Sequence, residues 1–499
     1  MPSKSFFIKL YHLSPNGFII SITTVLSFLF FIWGINSWKF AFVGDEWPFY
    51  IYAHNIAISS LYPNPFSFNG VYNTHSQLAS IYQSIFMTIF GPSNFSWRLS
   101  NCILIFPISF FFYRYIRNSF NSVLAVTATI ILQSSYYLAN FFKIGYDNPQ
   151  CFALFIVCLY LVNRFSENPT KKTGGILGLA LGISFYIYMG PIFPLFLWPY
   201  FLPLLKSIRS KGVVKALFSL VLVYLITLVP IITNISSLWP VIRAFGVLQN
   251  FHFNNAILRS FTLFYINNDY YYNHFVKGSY LDVISGFFCL IGTLVAFFRM
   301  KNKSYLYLVL SYLTTTIIIA VSSPGWFSPT TRGIFLLPYG FIFSGIGLTF
   351  VIKKIKNDTL SFTFFWYVIF AIISLNVYQS QIGVFTNNKL NNSGFTGIAL
   401  LVRSFQQAKV KNNSIIIVVS PTQSITKVFW QFPSILNAYR LDTLHYTIVS
   451  PVNFVCPMKN TNILYFRQDT IAVNTVENST CIINNTVNYT ELSPSITFY

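Results

Sequence analysis

Two adjacent carboxylates, Asp45 and Glu46, follow Gly44 in a chain that has only eleven acidic residues among 499. They come just past the first apolar run long enough to cross a bilayer, where a carboxylate stays hydrated yet lies close to anything embedded in the lipid. That position suits a general base acting on a lipid-borne substrate. The plainer reading is that the pair sits at the start of a helix begun after Pro48, whose dipole favours negative charge at its N-terminus. Asp147 is the next acid of interest, in the run Lys143-Ile144-Gly145-Tyr146-Asp147-Asn148-Pro149. It too has a structural reading, as the N-cap of a helix opened by Asn-Pro, and that reading is compatible with a chemical one. Seven cations accompany these acids: Lys39, Arg98, Lys143, Arg243, Arg259, Lys277 and Arg332. Arg98 and Arg332 each open an apolar run, so their guanidinium groups are expected at headgroup depth, where a phosphate would lie. The simpler alternative for each is a snorkelling anchor.

The elements that must hold these groups are membrane helices. The chain is 54% apolar, 19% aromatic and 9% charged, far from the balance of soluble domains. Eleven spans are expected, approximately Phe18–Asn36, Arg98–Phe112, Asn121–Leu138, Pro149–Asn163, Gly174–Gly190, Pro191–Leu205, Ala216–Thr233, Asp282–Phe298, Ser304–Val321, Gly333–Ile352 and Leu360–Tyr378. If the N-terminus is cytoplasmic, every short loop on that side is basic, and these loops carry 17 of the 32 Lys and Arg residues. This bias accounts for the net charge of +21 as a topology signal and excludes a nucleic-acid footprint. Trp33, Trp38 and Lys39 stand where a signal-peptide cleavage site would need small residues, so the first span reads as a retained anchor.

With this orientation nine of the eleven acids lie on the outer side. The first outer segment, Ala41 to Trp97, holds the Pro48 helix and a second apolar stretch, Leu78 to Phe90, too short to span and read as an interfacial helix. Pro63, Pro65 and Gly70 separate the two. From about Gln379 the composition turns polar, with β-branched stretches at Ser414–Val419, Asn462–Phe466 and Cys481–Val487 and a helix-like stretch at Gly397–Ala408. A small α/β domain over 379–499 is expected there, outside the membrane domain of 1–378. Four of the six cysteines fall in spans as small apolar fillers. Cys456 and Cys481 remain, both in the exported tail, and are expected to form a disulfide whose 24-residue loop would stabilise by roughly 3–4 kcal/mol.

Several short motifs, in this order, resemble the GT-C glycosyltransferases: Gly44-Asp45-Glu46 after the first span, Asn64-Pro65-Phe66, Phe90-Gly91-Pro92-Ser93 leading to Trp97-Arg98-Leu99-Ser100, Asp147, and Gly278-Ser279-Tyr280-Leu281-Asp282. Within that superfamily the chain is most similar to the bacterial protein-mannosyltransferase-like and lipid A aminoarabinose-transferase-like enzymes, over roughly residues 18–380. The tail resembles their variable extracytoplasmic domain in position and size alone. The resemblance implies a fold of membrane helices with outer interfacial helices. It also implies inverting transfer of a sugar from a polyprenyl-phosphate carrier to a lipid, glycan or protein acceptor on the outer face of the inner membrane. Carried over by position, Asp45 is the catalytic acidic residue, Glu46 its partner, Asp147 a second site carboxylate and Arg98 a contact to the carrier phosphate, with Lys143 and Arg332 as supporting cations. Many relatives have a His-Pro-Pro-like run before the second interfacial helix; this chain has Thr74-His75-Ser76-Gln77, so no acceptor role carries over to His75.

Elementary chemistry supports one strong carboxylate rather than two. A glycosidase must protonate a poor alkoxide leaving group and needs a carboxyl pair. A polyprenyl phosphate leaves as a stabilised anion, so cations that bind the developing charge can replace the general acid. A divalent metal is left open, with no ligands assigned. Two other classes remain: a lipid-linked oligosaccharide polymerase or ligase of another fold, and a transporter, against which stands the absence of an acid in the middle of any expected span.

Overall fold

The computed structural model describes residues 18–37, 46–59, 61–71, 75–206, 209–232, 253–265, 276, 278–322, 330–382, 396–423, 432–457, 461–466, 469–479 and 488–492. Asp45 and Cys481 lie outside the described residues.

Helices dominate because the sequence supplies long apolar runs whose backbone groups can be satisfied in lipid only within the segment itself. In chain order the membrane portion contains α1 (Phe18–Ile32), α2 (Glu46–Ser59), α3 (Gln77–Phe90), α4 (Asn94–Cys102), α5 (Ile105–Ser119), α6 (Ser122–Ser134), α7 (Tyr136–Phe142), α8 (Asn148–Glu167) and α9 (Lys171–Ser184). It continues with α10 (Gly190–Leu205), α11 (Lys211–Ile232), α12 (Phe253–Thr262), α13 (Val283–Phe298), α14 (Lys303–Ser322), α15 (Leu337–Ile352) and α16 (Asp358–Ile382). Each of the eleven expected apolar runs falls on helix. Six helical segments among the described residues are long and apolar enough to cross a membrane, and the α6–α7 pair, bent by 54°, makes a seventh if counted as one span. Helices α1, α10 and α13 are apolar but shorter.

The chain is an integral membrane protein by this measure, and its surface agrees. Helix α11 exposes Val221, Leu222, Leu225, Ile226 and Val229, and α13 exposes Phe287, Leu290, Leu294 and Phe298, apolar faces that only lipid or another protein would cover. Helices α13 and α15 approach so closely that a Cβ on Gly292 would stand 1.8 Å from the Phe343 carbonyl oxygen, and one on Gly347 1.9 Å from that of Phe288. Without a hydrophobic force between helices in lipid, such small-residue contact is how backbones gain packing.

The start of α2 corrects one expectation: the helix begins at Glu46 rather than after Pro48, so the proline lies in the first turn, where its missing N–H costs nothing. The α3 helix matches the expected interfacial stretch to within a residue, and Ser76 caps it by accepting from the Leu78 amide.

The tail contains α17 (Thr396–Lys411), β1 (Ser414–Val418), α18 (Phe432–Ala438), β2 (Tyr446–Val449), β3 (Thr461–Phe466), α19 (Thr470–Glu477) and β4 (Asn488–Leu492). The strands form one sheet in the order β2-β1-β3-β4, all neighbours parallel. Parallel pairing demands crossovers, which explains the helices between strands. Ser414–Val419 and Asn462–Phe466 are the strands expected there. The strand at 446–449 was not expected, and the last strand follows Cys481–Val487, which lies outside the described residues.

The tail docks on the segment between the first two expected spans. The Gln406 amide donates to the Asn36 carbonyl at 3.2 Å, the Tyr50 hydroxyl to Asn437 Oδ1 at 3.3 Å, and Arg440 to the Phe90 carbonyl at 3.4 Å. The tail, α2 and the end of α3 therefore share one end of the helix bundle.

Cys456 is disulfide-bonded, whereas Cys102, Cys151, Cys158 and Cys289 are free and buried. Alkylation of denatured, unreduced protein is expected to label four thiols, and six after reduction; six without reductant would contradict the disulfide.

Candidate active site

Helix α4 carries three polar side chains, Asn94, Arg98 and Asn101, at i, i+4 and i+7, hence on one face. All three are buried, and each reaches a different part of the chain. The Asn94 amide donates to Asn36 Oδ1 at 3.2 Å, in the turn after α1. Arg98 pairs with Glu46 at the head of α2, with Nη2 2.8 Å from Oε1 and 3.0 Å from Oε2. Asn101 donates to the carbonyls of Ile144 and Tyr146, each at 2.9 Å, in the loop before α8.

That loop, residues 143–147, is caged from three helices. The Gly145 amide donates to Glu46 Oε1 at 2.7 Å, and the Gly145 carbonyl accepts from the Gln83 amide of α3 at 2.8 Å. Gln83 in turn accepts from the Trp97 indole N–H at 2.9 Å. Residue 145 has to be glycine because a Cβ there would lie 2.0 Å from the Trp97 ring. A buried loop leaves backbone polar groups that must find partners, and here side chains supply them.

Glu46 is fully buried, so it serves as the acceptor that fixes Arg98 and Gly145 rather than as a hydrated acid. Arg98 is 1% exposed and committed to that carboxylate. From the tail, Tyr439 lies within electrostatic reach of the pair: burial raises its hydroxyl above the ordinary tyrosine range, with Arg98 acting to lower it and Glu46 to raise it. Lys143, also buried, follows α7, with its Nζ 3.4 Å from Asn140 Oδ1. Burial pushes its ammonium down to about 8, with Cys102 acting to raise it and Arg98 to lower it further.

Asp147 occupies the N-cap position of α8, yet its carboxylate makes no capping hydrogen bond. It turns instead to His75, whose Nδ1 lies 2.8 Å from Oδ2. The residues assigned from sequence thus separate into two linked groups. Glu46, paired with Arg98, holds the loop that Lys143 opens, and Asp147 leaves the loop toward His75. Arg332 sits in a short helix, Thr330–Gly333, with Nη1 buried and lacking a hydrogen-bond partner among the described residues. A Cβ on neighbouring Gly333 would meet the Tyr280 hydroxyl at 2.5 Å, and Tyr280 lies within electrostatic reach of Tyr188, which faces His75. Asp45 directly precedes Glu46 and lies outside the described residues. No group of three or more His, Cys, Asp or Glu side chains suited to a metal ion occurs among the described residues.

His75 and the α4 stripe are what the sequence reading missed. The stripe was visible as Asn94, Arg98 and Asn101 at helical spacing beside an apolar run; the contact between His75 and Asp147, 72 residues apart, had no local signal.

Two predictions follow from this geometry. Removing either partner of a buried ion pair strands the other, so Glu46→Leu or Arg98→Met alone is expected to destabilise by about 3–5 kcal/mol. The double substitution restores much of that, read as thermal unfolding in detergent; equal or additive losses would contradict the pairing. Lys143 binds its proton more weakly folded than unfolded, so its cost is fully present below pH 8 and is relieved as pH rises toward the ordinary lysine value. Lys143→Met is therefore expected to raise the melting temperature at pH 7 and to raise it less at pH 10.

Residues 74–236 match the family model described as dolichyl-phosphate-mannose-protein mannosyltransferase. In structure the chain is similar to ArnT from Cupriavidus metallidurans bound to undecaprenyl phosphate, with TM-score 0.51 and 11% identity over 95% of this chain and 90% of that one. It is also similar to the apo oligosaccharyltransferase from Archaeoglobus fulgidus, with TM-score 0.53 and 14% identity over 91% of this chain and 66% of that one. No curated protein sequence matches it. These findings show that the chain shares its fold with those two proteins and that residues 74–236 are similar to that family.

Proposed function

We propose that the chain is an inverting glycosyltransferase that moves a hexosyl or pentosyl group from a polyprenyl-phosphate carrier to a lipid, glycan or protein acceptor of the cell envelope. The observation that carries this reading is the convergence at one end of a GT-C fold of the α2 head, the 143–147 loop and the docked tail. The undecaprenyl phosphate bound by the similar ArnT supports a lipid-phosphate donor. The reading includes eleven spans, a cytoplasmic N-terminus in the inner membrane, a catalytic membrane domain over 1–378 and an extracytoplasmic domain over 379–499. Basic loops on the opposite side support that orientation.

In the reaction, the acceptor oxygen attacks the anomeric carbon from the face opposite the phosphate. The C–O bond to phosphate breaks, and its electron pair leaves with the phosphate oxygen. Asp45 takes the acceptor proton. Glu46, next to it in sequence, is fixed by Arg98 and by the Gly145 amide. Arg98 and Lys143 contribute positive potential, and Arg332, with a guanidinium nitrogen that has no hydrogen-bond partner among the described residues, contacts the phosphate. A donor already carried in lipid needs no nucleotide on the outer side.

Asp45→Asn keeps the size of the side chain and removes the base, so transfer from a polyprenyl-phosphate sugar is expected to fall by about 10² to 10⁴ with the fold intact. Turnover near the wild-type value would remove Asp45 from the mechanism.

A further inference from the structure

The segment Gly278-Ser279-Tyr280-Leu281-Asp282 has no role in the reaction above, yet most of it bears on the first turn of α7. At Ser135 the α6–α7 pair bends by 54°. A break of this kind takes the Tyr136 amide away from the helical ladder, so in a buried setting another acceptor has to meet it. Asn376 of α16 does so, its Oδ1 accepting from that amide at 2.8 Å. Asn376 then donates through Nδ2 to Asp282 Oδ2 at 2.8 Å, while Asp282 Oδ1 caps α13 by accepting from the Ile284 and Ser285 amides at 3.0 and 2.9 Å. Three helices, α7, α13 and α16, meet at one side-chain amide.

The other end of Tyr136 is held by the same segment. Its hydroxyl donates to the Ser279 carbonyl, and a Cβ on Gly278 would collide with that hydroxyl. Gly278 also takes φ at 110°, which a side chain would resist. The next ring along, Tyr137, packs on Tyr280 with centroids 4.4 Å apart. One turn further on, the Asn140 side-chain amide donates to the Ser380 carbonyl at 3.4 Å, so Tyr136 and Asn140, at i and i+4 of α7, meet Asn376 and Ser380, at i and i+4 of α16. Asn140 Oδ1 lies 3.4 Å from Lys143 Nζ, and the Asn140 carbonyl accepts from the Lys143 amide at 3.2 Å. The chain of contacts therefore runs from Asp282 into the 143–147 loop. Asp282, Asn376, Tyr136 and Asn140 are each 3% exposed or less, a depth at which polar groups are costly unless paired.

We propose that Asp282 and Asn376 are positioning residues for the loop: they fix the bend of α6–α7, and through α7 they set where Lys143 and Asp147 stand. The effect on turnover rests on the glycosyl-transfer reading; the clamp itself rests on geometry alone. Its donors and acceptors match in one sense only. Asp282 meets three N–H donors, and Asn376 has to donate to it and accept from Tyr136 at once. In Asp282→Asn, an amide that keeps the cap sets its NH2 against that of Asn376, and rotating Asn376 only moves the clash to the Tyr136 amide. In Asn376→Asp, two carboxyl groups face each other. Exchanging both residues puts a donor opposite an acceptor again and leaves the net charge as it was.

The test compares the full chain with Asp282→Asn, Asn376→Asp and the double exchange in lipid nanodiscs, by hydrogen exchange of the Gly145 amide and by turnover of a panel of undecaprenyl-phosphate hexoses and pentoses. Each single variant is expected to exchange Gly145 roughly tenfold faster and to lose roughly ten- to a hundredfold in turnover. The double exchange should recover most of both, and amides of α9 and β1 should keep their protection throughout. Single variants whose Gly145 exchange matches wild type overturn the inference, as does a double variant no better than either single. Protection lost in α9 and β1 together with Gly145 also overturns it, by making the cluster a general tie of the fold. If neither single variant folds, Tyr136→Phe, which gives up only the bond to Ser279, decides: faster Gly145 exchange supports the clamp and unchanged exchange overturns it. Wild-type protein that transfers none of these sugars, while Gly145 exchange follows the double exchange, supports the clamp and sinks the transferase reading alone.

Discussion

A guanidinium placed inside a membrane protein at 1% exposure cannot be left without its counter-charge, and this requirement organises one end of the helix bundle. Arg98 needs Glu46, so the head of α2 is drawn onto α4. Glu46 has lone pairs to spare, so it also takes the Gly145 amide and draws in the loop before α8. That loop then needs its carbonyls satisfied, and Gln83 and Asn101 provide for them. Three segments distant in sequence are locked into one arrangement because every polar group in it depends on another. Such a pair contributes little net stability compared with an apolar substitute, and its value here is the fixed geometry it imposes.

The tail belongs to the same arrangement. Asn437 meets Tyr50, Tyr439 feels the charges of the Glu46–Arg98 pair, and Arg440, held in a left-handed conformation at φ 54°, reaches the end of α3. The parallel sheet behind these residues supplies a rigid base for them.

The helices were legible because apolar run length is a local property, and each expected run fell on helix. The short helix α3 was legible for the same reason, being an apolar run of limited length. Strands β1 and β3 could be read from buried β-branched runs; β2, with exposed Tyr446 and Ile448, had no such pattern. The site was harder. Scarcity of acids drew attention to Glu46 and Asp147, but scarcity does not distinguish a hydrated base from a buried anchor. Glu46 turned out to be the anchor, because Arg98 faces inward from α4 rather than outward to the headgroups. Asp147 looked like an N-cap by position, and the capping bond is absent because a tertiary partner, His75, took the carboxylate. Roles decided by contacts between distant segments have no signature in local spacing.

The central claim is that Glu46 holds the 143–147 loop in place for the residues that leave it. Hydrogen exchange of the Gly145 amide measures this directly, because that N–H donates to the Glu46 carboxylate. In wild-type protein the amide should be strongly protected, and in Glu46→Gln its protection should fall sharply while the amides of β1 and β3 keep theirs. Unchanged protection of Gly145 in Glu46→Gln would contradict the account.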